Sequence, residues 1–300
     1  MTHGSADHDP VLARVLAWAE TQESVRAVVL TSTRAVEGGR VDELSDWDVI
    51  LYVTDPATLV APSEWLAAAY GPVLVQWSDE MEWRGFRHHM RLVMYRDGTR
   101  IDFTLAPADE LAALATADRL PDALDVGYRV LLDRDGRTAA LPPPTFTAHV
   151  PAPPTADEFR AVVEEFWFES GYVARNLRRG ELFPARYSLD SVMRPTLLRM
   201  LEWRAETDHG WSLPVGAHGR RLRGALDERT WREVEATFAG AGRDDGWNAL
   251  FAMLALFRRL AGEVAERLDL TYPRELDDTM TDYLRRVRDT GAARATGQGG

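Results

Sequence analysis

The chain has 300 residues, of which 45% are apolar and 27% are charged, and it contains no cysteine. This composition is ordinary for a globular enzyme of one or two domains, and it excludes disulfides, zinc–thiolate sites, iron–sulfur clusters and thiol catalysis. The formal net charge of −12 argues against a nucleic-acid partner and suits a cationic one. All 35 basic residues are arginines, so any side-chain cation that contacts a phosphate must be a guanidinium.

The sequence predicts neither a targeting segment nor a membrane span. Met1 to Pro10 is polar and lacks the apolar core of a signal peptide. The longest apolar runs, such as Ala249 to Phe257, are far shorter than the ~20 residues that cross a bilayer. We therefore expect a cytoplasmic protein with no membrane partner.

The first part of the chain mixes helices and strands. Hydrophobic periodicity and capping residues predict, in order, a helix at Asp9–Glu20, strands at Val25–Thr31 and Trp47–Thr54, a helix at Ser63–Tyr70, a short strand at Val73–Trp77, strands at His88–Tyr95 and Arg100–Leu105, a helix at Pro107–Ala117 and a strand at Tyr128–Asp133. Asp97-Gly98 is a strong turn signal between two of these strands. A hairpin there makes the predicted sheet mixed rather than purely parallel.

The second part of the chain is predicted to be helical. Six prolines between Leu141 and Thr155 favour a stiff extended linker. The helical patterns that follow cover Ala156–Arg179, Tyr187–Glu206, Glu228–Ala239, Trp247–Leu268 and Asp277–Arg288. We predict an α+β fold in which residues 1–141 form a domain with a mixed β-sheet and flanking helices, 142–155 a linker, 156–290 an all-helical bundle and 291–300 a glycine-rich disordered tail.

Three carboxylates are the strongest chemical signal in the sequence. Asp46 and Asp48 stand at the start of a predicted strand, where alternate residues point the same way. Asp102 lies between apolar neighbours in another predicted strand, which we expect to pair beside the first. Adjacent carboxylates repel one another unless a cation lies between them, and they suit hard divalent metals such as magnesium. The alternative is a solvated strand end with no ligand.

A run of small hydroxyl residues precedes these carboxylates. Thr31, Ser32, Thr33 and Arg34 follow the first strand, at a predicted strand-to-helix turn. Backbone N–H groups and hydroxyls at such a turn can bind phosphate, although a plain helix cap has the same sequence pattern.

The order of strand, small-residue turn, helix, Asp-x-Asp strand and later lone Asp resembles the DNA polymerase β-type nucleotidyltransferase superfamily. Longer stretches resemble the aminoglycoside 6-adenylyltransferase (streptomycin adenylyltransferase) family over roughly Val11 to Arg288. These stretches are Val49–Asp55, Asp97–Asp102, Leu182–Tyr187, Arg194–Trp203, Trp247–Phe251 and Tyr283–Arg288.

The resemblance implies a nucleotidyltransferase domain followed by a helical acceptor-binding domain. It implies that Asp46, Asp48 and Asp102 hold Mg²⁺ and carry catalysis, with Asp102 completing the metal site or accepting a proton. It also implies that ATP is the co-substrate, that Thr31 to Arg34 contact its phosphates, and that Arg186, and less directly Arg178 or Arg179, contact them from the helical domain. An aminoglycoside hydroxyl would then receive AMP, a modification associated with antibiotic resistance.

Two positions depart from the family pattern. The family usually has Gly-Ser-Arg where this chain has Ser32-Thr33-Arg34, so Ser32 is expected to crowd the phosphates or to need a strained backbone. Arg186 stands where relatives tend to have lysine, which keeps the charge but changes its geometry.

A polycationic acceptor needs acidic and aromatic walls, which we expect between the two domains. The candidates are Glu82, Trp83, Glu165 and Asp190, together with Glu80, Glu164, Trp167 and Glu169. Of the neighbouring His88 and His89, only one is expected to face inward, in a structural role.

Three functions stay open at this point. The first is adenylylation of an aminoglycoside, and the second is nucleotide transfer to another small molecule, a protein or an RNA end, of which RNA is disfavoured by the acidic charge. The third is a catalytically weak homologue that binds nucleotide or aminoglycoside.

Overall fold

The computed structural model describes residues 9–295, with side chains up to residue 290. The chain divides into two compact units between Ala148 and His149. The first unit contains a six-stranded mixed sheet and the second is helical, so the predicted α+β class is confirmed.

From residue 9 onwards, the first unit contains five α-helices and six strands. The helices are α1 (Pro10–Thr21), α2 (Ala57–Val60), α3 (Glu64–Ala69), α4 (Glu110–Ala115) and α5 (Asp122–Asp125), and the strands are β1 (Val25–Thr31), β2 (Trp47–Val53), β3 (Val73–Trp83), β4 (Phe86–Tyr95), β5 (Arg100–Pro107) and β6 (Tyr128–Asp133). Asp9 caps α1 by accepting from the N–H groups of Val11 and Leu12, as the sequence predicts.

The strand order is β3-β4-β5-β2-β1-β6. The β2–β5 pair is parallel, whereas the other four neighbouring pairs are antiparallel. The parallel register sets Asp48 directly opposite Asp102. This topology brings two residues that are 54 positions apart in sequence to the same point of the sheet.

The two faces of the sheet have different partners. On one face, Trp18 of α1 stacks on Trp65 of α3, and Trp65 meets the edge of Phe103. On the other face, Ile50 and Tyr52 belong to a smaller core that includes the α4 leucines Leu111 and Leu114. Because side chains alternate along a strand, Asp48 lies on this second face with Ile50 and Tyr52.

Two local predictions in this unit are wrong. The third strand does not end at Trp77 but continues to Trp83 and turns through Arg84 and Gly85, both at positive φ (47° and 84°). The Arg-Gly pair gives a weaker turn signal than Asn-Gly or Asp-Gly. The helix expected after Thr31 is a single 3₁₀ turn over Ser32–Ala35, and a pair of glycines follows it closely in the sequence.

The proline-rich segment is attached to the first unit over part of its length. The buried carboxylate of Asp125 accepts hydrogen bonds from the backbone N–H groups of Thr145 and Thr147, at 2.7 and 3.1 Å, and from their hydroxyls. Tyr128 donates to the carbonyl of Pro142. Residues 142–147 are therefore bonded to the domain rather than being a free linker.

The second unit contains five helices of eight or more residues among its described residues, and two short ones. They are α6 (Ala156–Arg179), α7 (Leu182–Tyr187), α8 (Arg194–Glu206), α9 (Leu222–Ala225), α10 (Glu228–Glu235), α11 (Arg243–Arg267) and α12 (Arg274–Ala295). Phe166 of α6 stacks on Phe257 of α11 at 3.6 Å between ring centroids, at the centre of the bundle. None of the described helices is both long and apolar enough to cross a membrane.

Several helix boundaries differ from the predictions, among them the end of α10 at Glu235 rather than Ala239 and the start of α11 at Arg243 rather than Trp247. The helix predicted from Tyr187 starts with a π-helical turn, Ser188–Met193, and becomes α-helical only from Arg194. Pro195 has no N–H to donate to the preceding turn, which explains the break. The last helix continues to Ala295, past the predicted start of the tail, and residues 296–300 lie outside the described residues.

Candidate active site

Asp46, Asp48 and Asp102 form a compact cluster at one end of the parallel strand pair. One carboxylate oxygen from each lies within 4.8 Å of the other two. Asp46 immediately precedes β2, Asp48 is its second residue, and Asp102 is the third residue of β5. The side chains of Asp46 and Asp102 are 36% and 18% exposed, so solvent reaches the cluster.

The cluster is electrostatically strained in the metal-free protein. Burial, reinforced by repulsion from Asp46 and Asp102, raises the pKa of Asp48 from 3.8 to about 6. Hydrogen bonding from the Ser32 side chain and the charge of Arg100 oppose this increase in pKa. A site with this excess of negative charge is suited to a divalent cation.

Arg100 is a side-chain cation that binds to the carboxylate cluster, and the sequence analysis did not predict it. Its guanidinium donates to both oxygens of Asp102, at 2.6 and 3.0 Å, and lies 3.8 Å from Asp46. Hydrogen bonding to Asp102 raises the pKa of Arg100 above its ordinary value. The spacing of Arg100 and Asp102, two residues apart on one strand, was the available signal.

The turn before the cluster has an unusual backbone. Ser32 has φ of 66°, in the left-handed region that disfavours residues with a Cβ. Its N–H donates to the carbonyl of Gly127 at 3.2 Å, and Gly39 packs so closely on Thr33 that a Cβ there would lie 2.1 Å from the Thr33 carbonyl oxygen. Ser32 therefore has the strained backbone that was one of the two expectations for this position.

The structure gives Arg34 a different environment from the predicted phosphate contact. Its guanidinium donates to the carbonyl oxygens of Asp46 (2.9 Å) and Ser45 (2.7 Å) and stacks over the Trp47 ring at 3.6 Å from the ring centroid. Trp47 in turn donates its indole N–H to Asp9 at 2.9 Å. Through Nε and Nη2, Arg34 positions the segment that carries Asp46.

The predicted acceptor-binding residues have diverse environments. Trp83 lines a cavity beside the cluster, whereas Glu82 points to the opposite face of β3 and Glu80 pairs with His89. In the second unit, Trp167 is fully buried in the bundle core, so it is not available to a ligand. Glu164 and Glu165 are exposed on α6, and Glu169 is half-buried there.

Asp190 and Arg186 are paired with one another in the second unit. Asp190 accepts from Arg186 at 2.9 Å and from Arg194 at 2.8 Å, and Arg186 also donates to the carbonyl of Ala239. Both side chains of this pair are about one third exposed. Each already has a partner within the bundle.

The cavity beside the cluster encloses about 620 Å³ and lies entirely within the first unit. Asp48 and Asp102 contribute to its wall, and Ile50, Met90, Leu92 and Trp83 are among its apolar lining residues. His88 and Glu110 also line it and form a buried pair, with 2.5 Å between Nε2 and Oε2. His88 is the inward-facing member of the histidine pair, as expected, but nothing in the sequence pointed to Glu110 as its partner.

The donor atoms of the cluster fit magnesium or manganese. All three ligands are carboxylates, which hard divalent cations prefer, and their oxygens lie close enough to share one ion. The predicted alternative, a solvated strand end, does not explain why a third carboxylate, from a strand distant in sequence, lies within 4.8 Å of the other two.

Comparison with known proteins gives a consistent result over nearly the whole chain. The family model described as streptomycin adenylyltransferase matches residues 7–287. Aminoglycoside 6-adenylyltransferases of Bacillus subtilis (strain 168) and Campylobacter jejuni are 29% and 28% identical to this chain, over 89% and 91% of it and 93% of each relative. A crystal structure of an aminoglycoside 6-adenyltransferase from Bacillus subtilis aligns with 94% of this chain and 99% of its own, at 26% identity and a TM-score of 0.46.

Proposed function

This chain belongs to the streptomycin adenylyltransferase family and is a nucleotidyltransferase, and from that premise we propose that it transfers AMP from ATP to a hydroxyl group of an aminoglycoside such as streptomycin. Mg²⁺ is the proposed metal and pyrophosphate the second product. The observation that carries the proposal is the cluster of Asp46, Asp48 and Asp102, assembled by the parallel β2–β5 pair.

Asp46 and Asp48 are the proposed metal ligands, and Asp102 completes the metal site or accepts the proton of the acceptor hydroxyl. A divalent ion bound there would neutralise the charge of the triphosphate and of the transition state. The backbone N–H groups and hydroxyls of Thr31, Ser32 and Thr33 are the proposed contacts of the outer phosphates. Arg186 is a further proposed phosphate contact, for which it would have to release Asp190.

The reaction is a displacement at the α-phosphorus. The acceptor oxygen forms a bond to this phosphorus as the bond to the β-phosphate oxygen breaks, and pyrophosphate leaves with the electron pair. The acceptor hydroxyl loses its proton to a base at the site. Because the attacking and leaving oxygens lie roughly in line, the chain contributes mainly by positioning groups and by stabilising charge.

The charge of the protein supports a cationic acceptor. The net charge of −12 favours association with a polycation and disfavours nucleic acid. The exposed Glu165 remains a proposed acceptor contact in the helical unit, as does Asp190 beside Arg186. Trp83, on the cavity wall, is a proposed contact in the first unit.

A second candidate function is that of a nucleotide- or aminoglycoside-binding homologue with weak turnover. The positive φ of Ser32, at the proposed phosphate turn, favours this candidate. Where the family has glycine, this chain has a side chain and a strained backbone, which would hinder phosphate binding. Nucleotide transfer to a different small molecule is the remaining alternative.

Incubation of the protein with ATP, Mg²⁺ and a panel of hydroxyl-bearing acceptors distinguishes these functions. Mass spectrometry of each acceptor is the readout. A gain of one AMP on streptomycin, abolished by EDTA, supports the proposal, whereas a gain only on an unrelated acceptor supports the second substrate class. No gain on any acceptor, with streptomycin binding intact by calorimetry, supports the weakly active homologue.

A further inference from the structure

His88 and Glu110 form a buried polar pair in the cavity, to which the proposed chemistry assigns no role. His88 is 7% exposed and Glu110 is 1% exposed. A carboxylate is rarely buried this completely without a partner, and here the imidazole Nε2 supplies it at 2.5 Å. The pair lies on the cavity surface, among apolar side chains that include Met90 and Leu92.

The pair leaves one imidazole nitrogen free to face a ligand. In the neutral form of His88 that donates from Nε2 to the Glu110 carboxylate, Nδ1 is an acceptor. Nδ1 has no hydrogen-bond partner among the side chains and backbone that the structure describes. A histidine supported by a carboxylate in this way is a strong acceptor for a cationic N–H group.

The position of the cavity matches the acceptor rather than the leaving group. The proposed phosphate-binding turn, Thr31 to Thr33, follows β1 on one side of β2. Strands β5, β4 and β3 lie on the other side of β2. With the outer phosphates at the turn, pyrophosphate leaves towards β1, and the attacking oxygen approaches in line from the β5 side. Most of the strand residues that line the cavity, among them His88 and Asp102, belong to β3, β4 and β5, and Thr31 at the end of β1 lines it as well.

We propose that this cavity binds the ring of the acceptor that carries the reactive hydroxyl, and that His88 recognises a cationic amino or guanidinium group of that ring through Nδ1. Glu110 is the positioning residue that holds the imidazole in this tautomer. Trp83 is also on the cavity wall, where the Arg84 guanidinium lies 5.2 Å from its ring centroid. The assignment of the ligand as an aminoglycoside ring rests on the proposed function.

Two variants change the hydrogen bond without changing the size of the cavity greatly. Glu110→Gln replaces the carboxylate with an amide that can either donate to or accept from Nε2, so the proton is no longer held on that nitrogen and Nδ1 is a poorer acceptor for a cationic N–H. His88→Gln removes the imidazole. His89→Gln is the matched control, because His89 is the next residue, on the opposite face of β4, where it pairs with the surface residue Glu80.

Initial rates are measured with ATP and streptomycin varied in turn, and streptomycin binding is measured by calorimetry in the absence of ATP. Glu110→Gln and His88→Gln should raise the KM for streptomycin and weaken its binding about tenfold, as expected for one hydrogen bond to a charged group. The KM for ATP should stay within about twofold, and His89→Gln should change neither value. Circular dichroism and thermal melting show whether each variant is folded.

A rise in the KM for ATP, with the KM for streptomycin unchanged, would overturn the proposal and assign the cavity to the adenine base. Unchanged constants in both folded variants would overturn it as well. A wild-type protein that binds streptomycin but transfers no AMP contradicts the proposed function only, and the calorimetric comparison then still tests the cavity. A wild-type protein that binds no streptomycin contradicts both.

Discussion

Asp48 and Asp102 lie directly opposite one another on neighbouring parallel strands, and both carboxylates point to the same face of the sheet. This relationship places a fixed pair of negative charges beside the turn that starts at Ser32. Asp46 adds a third, so the site carries more negative charge than Arg100 can neutralise. The predictions below follow from that imbalance and from the groups that hold the carboxylates in place.

Replacement of Ser32 with glycine should stabilise the protein and strengthen nucleotide binding. A residue with a Cβ at φ of 66° costs about 1–2 kcal/mol relative to glycine. The substitution recovers only part of this free energy, because it also removes the hydroxyl that hydrogen-bonds to Asp48. Thermal melting should show a rise of a few degrees, and ATP affinity should increase. Ser32→Ala is the control, because alanine keeps the Cβ; an equal gain in that variant would mean that backbone strain is not the cause.

Removal of the Arg100 charge should tighten divalent-metal binding. Arg100→Gln removes the guanidinium that binds Asp102 and lies 3.8 Å from Asp46, and at these distances one unit charge is worth about 1–4 kcal/mol. Calorimetry with Mn²⁺ should show about tenfold higher affinity, with lower stability when metal is absent. Arg96→Gln, an exposed arginine on the same hairpin, is the charge-matched control. Weaker metal binding in Arg100→Gln would indicate that Arg100 orders the cluster instead of competing with the ion.

The stability of the metal-free protein should respond to pH through Asp48. Its pKa of about 6 in the folded state lies above the ordinary 3.8, so the folded state holds the proton more tightly than the unfolded state. Its stabilising contribution is greatest below pH 3.8 and is lost as the pH rises to about 6. In EDTA, Asp48→Asn should therefore be more stable than wild type at pH 8, by about 3 kcal/mol, with a smaller advantage at pH 5.

Metal binding should depend on pH in the opposite direction, since the ion needs the deprotonated carboxylate. Affinity for Mn²⁺ should fall as the pH drops below about 6. The exposed Asp55, whose substitution with asparagine keeps a side-chain oxygen that accepts from the N–H of Ala57, provides the control variant for both measurements. A wild-type protein whose metal affinity is constant between pH 5 and 8 would contradict the raised pKa.

The contacts of Arg34 predict a role in metal binding that needs no nucleotide. Arg34→Ala removes the hydrogen bonds to the carbonyls of Ser45 and Asp46 and the stacking on Trp47, and so releases the segment that carries Asp46. Calorimetry without ATP should show weaker Mn²⁺ binding, with partial recovery in Arg34→Lys. If Arg34 instead contacts phosphate, metal binding will be unchanged and only ATP affinity will fall.

Much of the architecture follows from local patterns in the sequence. The β-branched run Val25–Thr31 and the capped, amphipathic pattern of Ala156–Arg179 define a strand and a helix with the same ends in the structure. The Asp97-Gly98 turn identifies the β4–β5 hairpin. Such elements are determined by periodicity, capping and turn residues that act over a few positions.

The candidate site shows where local patterns stop being informative. The contact between Asp48 and Asp102 follows from strand order and register, which the sequence suggests but does not determine. The two residues of the His88–Glu110 pair lie 22 positions apart, one on a strand and the other on a helix. The guanidinium of Arg34 binds backbone carbonyls, which every residue has, so the sequence does not mark its partners. These partners are selected by tertiary packing, so only the structure reveals them.

The most direct test of the metal-site assignment is AMP transfer by Asp48→Asn. Wild type, Asp48→Asn and the control Asp55→Asn are incubated with ATP, Mg²⁺ and streptomycin, and the acceptor is analysed by mass spectrometry over time. We predict that Asp48→Asn is folded but produces no adenylylated acceptor, whereas Asp55→Asn matches wild type. Transfer by Asp48→Asn at the wild-type rate would contradict the assignment of the Asp46–Asp48–Asp102 cluster as the catalytic metal site.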